Sequence, residues 1–182
     1  KPSAEPDMAN KTALRELQQR LAERMQAARE QTLIANWLAV ECAGVGLLFS
    51  LKQAAEIFAP VAIKPVPYAK PWLIGVANLR GGLFTVVDLA VYLGLREPSL
   101  SRGVSPHARL VSLGSDLNLN CALLVDRLAG LRSDEQLPLV SPQPTEARPR
   151  FAGALRRDEA GRHWQEINLE ALSRQENFLH IV

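Results

Sequence analysis

Arg80 stands in the middle of "GVANLRGGLFTVVDL", a cation between two apolar, β-branched runs, followed at once by Gly81 and Gly82. Both glycines can take positive φ, so they predict a tight turn that holds its first residue in a defined place. A planar guanidinium held there can grip a carboxylate in bidentate fashion, and Glu56 in "AAEIF" is the candidate partner. The alternative is an exposed turn cation that contributes nothing. Elsewhere the chemistry-bearing side chains are scattered. His107, His163 and His180 lie in separate segments, with no ligand-like spacing to one another or to Cys42 and Cys121. Asp126, after "LLV", has neither base nor nucleophile beside it in sequence. Walker, dinucleotide and G-x-S-x-G fingerprints are absent, and "AGVGLL" around Gly44 and Gly46 leads into a strand where a phosphate loop needs a helix. Arg148, Arg150, Arg156, Arg157 and Arg162 are interleaved with Asp158 and Glu159, the pattern of a solvated hairpin. The expectation is a chain that is no enzyme and takes no metal and no cofactor.

The elements that must position Arg80 follow from periodicity. Residues 1–10 read as a disordered lead-in, and residues 11–32 as one amphipathic helix with Leu14, Leu17, Leu21, Met25 and Ala28 on a stripe. That stripe is expected to pack on its own domain, the alternative being a partner or a second copy. From Asn36 the period changes to two, and "NWLAVEC" and "VGLLFSL" form a hairpin around Ala43 and Gly44. "KQAAEIF" reads as a helical turn and "VAIKPVPYAKP" as an extended, proline-punctuated segment. The Arg80 hairpin follows, then a short helix "LAVYLGL" with Asp88 as N-cap and Gly94 near its stop. After the loop "REPSLSRGVSPH", strands resume in "ARLVSLG" and "LNCALLVDRLAGLRS". A Pro-rich connector "LPLVSPQPTEARP" leads to "RFAGALRRDEAGRHWQEINLEALSRQ".

That last piece repeats an earlier one. "GVANLRGGLFTVVDLAVYL" and "GALRRDEAGRHWQEINLEAL" both run strand, turn, strand, short helix, and each meets its helix at an Asx residue before Leu. "GLLFSLKQAAEI" echoes "CALLVDRLAGLR". Short strands at regular spacing with Gly and Pro turns point to two small barrels in tandem. In "LFTVVDL", Phe84 and Val86 face one side, Leu83, Val87 and Leu89 the other, so both faces are apolar. The economical solution is two barrels packed wall to wall, and any uncovered part of their seam would be a protein-binding groove.

Bulk properties agree. Apolar residues make up 47% of 182, charged residues 22%, and the net charge of +2 argues against a dedicated nucleic-acid binder. No apolar run approaches the roughly 20 residues of a membrane span, and the sequence opens on no charged-then-apolar leader. Two reduced, buried cysteines fit a cytoplasmic protein with no membrane insertion.

With those residues in view, the chain resembles the CheW-like domain family. "GVANLRGGLFTVVDLAVYLGL" is similar to the family's G-x-x-N-x-R-G turn, apolar strand and Asp-Leu, "ALLVDRLAGL" to its second signature, and "AAEIF" to its Glu-Ile. The helix over 11–32 and the ending "LSRQENFLHIV" are more similar to the pilus-associated version found in twitching-motility systems. The resemblance implies a mainly β fold of two five-stranded SH3-like barrels within residues 33–182, the first over about 36–95 and the second over about 107–176, with chain crossover allowed. It implies a non-catalytic adaptor between a chemoreceptor's cytoplasmic tip and the regulatory domain of a CheA-type histidine kinase. Carried over position by position, the partner-binding residues are Glu56, Asn78, Arg80, Gly81 and Asp126, with the receptor near the seam and the kinase at the barrel ends. Thr85 stands where the family usually has proline, so the strand donates one more hydrogen bond. Asn168 stands where it has aspartate, and both cap helices. Within the class, a flagellar coupling protein is the rival; outside it, an SH3- or OB-like nucleic-acid module.

Overall fold

The computed structural model describes residues 15–26, 35–99, 103–140 and 148–180. The chain divides after Ala35 into two units. The first holds helix α1, residues 15–26, on which Leu17, Leu21 and Met25 share a face at four-residue spacing. The expected lead-in over 1–10, the ends of the 11–32 helix with Leu14 and Ala28, and the middle of the 137–149 connector lie outside the described residues.

The second unit, Asn36–Val182, is mainly β. Its strands are β1 Trp37–Cys42, β2 Val45–Ser50, β3 Ala54–Phe58, β4 Leu73–Leu79, β5 Gly82–Asp88, β6 Arg109–Leu113, β7 Cys121–Val125, β8 Arg127–Arg132, β9 Ala152–Arg157 and β10 His163–Ile167. Among the described residues, α2 Leu89–Tyr92 lies between β5 and β6, a 3-10 helix Ser115–Leu117 lies between β6 and β7, and α3 Leu169–Ser173 and α4 Glu176–Leu179 follow β10. Two five-stranded sheets result, ordered β8-β1-β2-β10-β9 and β3-β6-β7-β5-β4.

The sheets share one plan. In each, a central antiparallel pair (β1–β2, β6–β7) is extended by a parallel strand (β10 on β2, β5 on β7) and then by its antiparallel hairpin mate (β9, β4). This is the repeat visible in sequence. The halves are not in tandem, however. β3 follows β2 yet pairs with β6, and β8 follows β7 yet pairs with β1, so one sheet is a contiguous run of chain, β3–β7, set between β2 and β8 of the other. The expectation of barrels over about 36–95 and 107–176 allowed chain crossover, and the chain does cross over: one sheet uses β1, β2 and β8–β10, the other β3–β7. Bridges between Lys64 and Val76 and between Leu139 and Arg156 tie the segments after the edge strands β3 and β8 to the opposite edge strands β4 and β9.

The helical turn expected at "KQAAEIF" is strand β3. Ala and Glu favour a helix locally, but pairing of Ala54, Ile57 and Phe58 with Leu113, Val111 and Leu110 wins, because it completes the sheet. The capping expectations hold: Asp88 accepts from Val91 N and Asn168 from Ala171 N. Thr85 donates both its N–H and its hydroxyl to Asn120 O, at 2.9 and 3.1 Å, the added bond that proline would forbid.

Alternation sorts the core into three. Along β1, Leu38, Val40 and Cys42 point one way and Ala39 the other; along β7, Cys121, Leu123 and Val125 oppose Ala122 and Leu124. The first sets meet, with Val87, Val111 and Phe49, in one seam built from both sheets. The opposite sets fill separate barrel interiors, around Ala39, Leu48 and Trp164 and around Val86, Leu110 and Leu124. Strands buried on both faces are therefore the consequence of wall-to-wall packing. Cys42 and Cys121 are free thiols in this seam, each pushed up to about 12 by burial, so neither is a nucleophile.

Candidate functional site at the Arg80 turn

The β4–β5 hairpin closes with Leu79 opposite Gly82, leaving Arg80 and Gly81 as a two-residue turn. Their φ values of 50° and 84° are those of a type I′ turn, whose twist matches the flanking strands. The positive-φ pair is thus Arg80–Gly81, not the two glycines; Gly82 opens β5, where a Cβ would stand 3.0 Å from the Phe84 ring. An arginine in the left-handed region carries a strain of about 1–2 kcal/mol. Asn78 helps hold it there, its Oδ1 accepting from Gly81 N at 2.9 Å.

Glu56 is delivered by a different device. The β3–β6 register shifts between Ala54 and Ile57, a bulge that takes Glu56 out of the ladder. The buried Ser112 hydroxyl satisfies the freed backbone, accepting from Glu56 N at 3.0 Å and donating to Glu56 O at 3.3 Å. The carboxylate then meets Arg80 at 3.0 Å, while the guanidinium lies 5.9 Å from the Phe58 ring centroid. β3 and β4 are the two edges of one sheet, so this pair spans its open side. A second bulge, at Leu73/Gly75, brings β4 against Lys64; only glycine fits there, since a Cβ on Gly75 would lie 2.2 Å from the Lys64 carbonyl. The pair remains wet, with Arg80 76% exposed and Glu56 46%. Beside it, across from Asn78, Leu83 is 65% exposed although it shares the face of β5 that carries Val87 into the seam. The uncovered end of the seam adjoins the Arg80 turn.

Glu56, Asn78, Arg80 and Gly81 are therefore brought together, and Asp126 is not among them. Its carboxylate accepts from Ala43 N at 2.7 Å and from Arg96 at 2.9 and 3.1 Å. The other arm of Arg96 grips both oxygens of Asp88 at 2.9 Å, the same Asp88 that caps α2. This fork links the turn of β1–β2 in one sheet to the ends of the parallel strands β5 and β7 in the other. Sequence reading missed Arg96. Its signal was the repeated ending "VVD" and "LVD": two buried strands that finish side by side on carboxylates require a cation. Glu41 was missed too; buried on β1, it takes hydrogen bonds from Arg127 and Arg162. Burial pushes its carboxyl up, but those two arginines outweigh burial and leave it below the usual range.

No cluster of three His, Cys, Asp or Glu side chains suited to a metal occurs among the described residues. A cavity of about 760 Å³ lies between α2, α4 and the start of β9, lined by Lys70, Trp72, Tyr92, Phe151 and His180 among others. Beside it Trp72 and Phe178 stack and Tyr92 meets both edge-on, an aromatic packing cluster.

With two five-stranded sheets packed on a common seam and an N-x-R-G turn on one of them, the chain matches the CheW-like domain family over residues 36–177. The chain belongs to that family. It is similar to Protein PilI of Pseudomonas aeruginosa, 25% identical over 160 residues that cover 84% of each chain. Its fold is similar to the crystal structure of scaffolding protein TtCheW from Thermoanaerobacter tengcongensis, with a TM-score of 0.63 at 18% identity, covering 81% of this chain and 97% of that one. As a CheW-like chain it is a non-catalytic coupling scaffold. Among the described residues no helix is long and apolar enough to cross a membrane.

Proposed function

We propose that this CheW-like chain works in the cytoplasm, coupling chemoreceptor tips to the regulatory domain of a CheA-type histidine kinase in an array that controls type IV pili and twitching motility. The likeness to PilI supports the pilus assignment. The observation that carries the binding site is Arg80, held in a left-handed turn, capped by Asn78 and met by a Glu56 aimed from a bulge, next to the exposed Leu83. An exposed pair adds little to stability, so the strain and the bulge are spent on position. Glu56, Asn78, Arg80 and Gly81 form the contact surface. Asp126 acts at one remove, by holding the barrels whose seam ends there. The mechanism is assembly: the scaffold fixes the kinase where receptor state alters its autophosphorylation.

Titration calorimetry of Arg80→Ala against a kinase regulatory domain and a receptor tip fragment tests the reading. Affinity for at least one falls tenfold or more, about 1.4 kcal/mol, while the melting temperature stays within a few degrees. Unaltered binding to both removes the site, and an unfolded variant makes the arginine structural. Loss of twitching with swimming intact is expected on deleting the gene; the reverse pattern would make it a flagellar coupling protein.

A further inference from the structure

A second feature of the same barrel is not used by the Arg80 turn. Between Lys64 and Trp72 the chain runs "KPVPYAKPW". Its ends are tied: Lys64 exchanges two backbone hydrogen bonds of 2.8 Å with Val76, and Leu73 N donates to Lys70 O at 2.9 Å. Pro65, Pro67 and Pro71 fix three φ angles between and beside those ties, so the loop is stiff. At its corner, Pro67 is followed by Tyr68 with φ of 60°. Proline then a positive φ is the order of a type II turn, whose third residue favours glycine. Here an aromatic side chain occupies that position and is 94% exposed. The fold thus bears a strained backbone and an unburied ring at one residue, with no internal contact to offset either.

The stretch of chain that carries Tyr68 holds one sign of charge. From Ile57 to Val87 there is no acidic residue, while Lys64 and Lys70 flank the tyrosine, both exposed. Arg80 is answered by Glu56, but neither lysine has an ion-pair partner among the described residues. Tyrosine is enriched at binding hot spots because it brings a large rigid contact at low entropic cost. Flanking uncompensated cations select a partner by charge.

We propose that Tyr68, presented by the Pro65–Pro71 loop, anchors a second docking surface for an acidic segment of a partner protein, with Lys64 and Lys70 reading the charge. The proposal rests on the coupling role above only for which protein supplies that segment. Two arms test it with the full chain. In the first, calorimetry uses the kinase regulatory domain and the receptor tip fragment. Tyr68→Gly keeps or raises the melting temperature, since glycine relieves the positive φ, yet weakens one of the two complexes at least tenfold. Tyr68→Phe binds within about threefold of wild type, less than 0.7 kcal/mol. Lys64→Glu with Lys70→Glu weakens the same complex and flattens its salt dependence. The second arm probes a peptide array graded from net acidic to net basic; wild type binds the acidic members, and Tyr68→Gly loses them. Wild type binding neither fragment defeats the coupling role alone, because the array still judges this surface. Array binding that ignores charge or ignores Tyr68, or fragment binding unaltered in both sets of variants, overturns the inference.

Discussion

Arg80 and Arg96 do the same chemistry in opposite surroundings. Both are guanidinium–carboxylate contacts near 3 Å, but Arg80 is 76% exposed and Arg96 12%. Around Arg80, water competes for every donor, so the pair fixes a direction more than it holds the fold. Arg96 and Asp88 are nearly closed off from water, and two aspartates at the ends of two neighbouring strands share one cation. Even there one donor is left over: its Nε is buried without a hydrogen-bond partner. The difference teaches that charge pairing by itself says nothing about role. Burial decides whether the pair is spent inside the molecule or left available to another.

Removing Arg96 should have the largest effect. Arg96→Ala takes the shared cation away from Asp88 and Asp126, and breaking a buried pair typically costs about 3–5 kcal/mol. For a domain of this size that lowers the melting temperature by roughly 10 °C. A shift of a degree or two in thermal melts would break the comparison, because the clamp would then be no more structural than the Arg80 pair.

Acid should act next, through the buried Glu41. Its carboxyl is lowered from 4.5 in the fold, so the unfolded chain binds the proton first as pH drops. The stability it contributes is therefore present above pH 4.5 and is lost as pH falls through the lower folded value. Melting temperatures between pH 7 and pH 3 should fall below that point. Glu41→Gln should melt lower than wild type at pH 7 and show a shallower fall. An unchanged pH profile would mean that Arg127 and Arg162 add nothing to the fold.

At Arg80 the expected effects on stability are small and differ in sign. Arg80→Gly relieves the left-handed strain and should be about 1 kcal/mol more stable than Arg80→Ala, while both lose binding alike. If the two variants melt together, the turn is unstrained and the argument from position weakens. Smallest of all is the coupling between Arg80 and Glu56. A double-mutant cycle with alanines should give less than about 1 kcal/mol in stability. A value of 2 kcal/mol or more would move this pair into the class of Arg96 and sharpen the case for a structural role.

Much of this was legible without coordinates, wherever the signal was local. The hairpin around Arg80, the caps at Asp88 and Asn168, and the doubled strand-turn-strand-helix unit all depend on neighbours in sequence. Turn residues, capping side chains and period-two alternation act over a few positions. The burial of β5 on both faces, at Val86 and Val87, was legible for the same reason: two apolar faces in one strand admit few arrangements.

What only the tertiary structure decided concerns partners far apart in the chain. "KQAAEIF" has the composition of a helical turn and became a strand because β6 offered its edge. The crossover that sends β3–β5 to β6–β7 and β8–β10 to β1–β2 leaves no local trace, since a strand's sequence does not name the sheet it joins. Arg96 sits in an unremarkable loop after α2, and its role exists only because β5 and β7 end side by side. Positive φ fell on Arg80 and not on Gly82, because strand register set where the two-residue turn had to lie. Sequence by itself determined which segments would be strands with two greasy faces, since side-chain chemistry and alternation are local properties. Only the packed fold decided which strands would meet, and thereby which arginine was buried as a clamp and which was left in water for a partner.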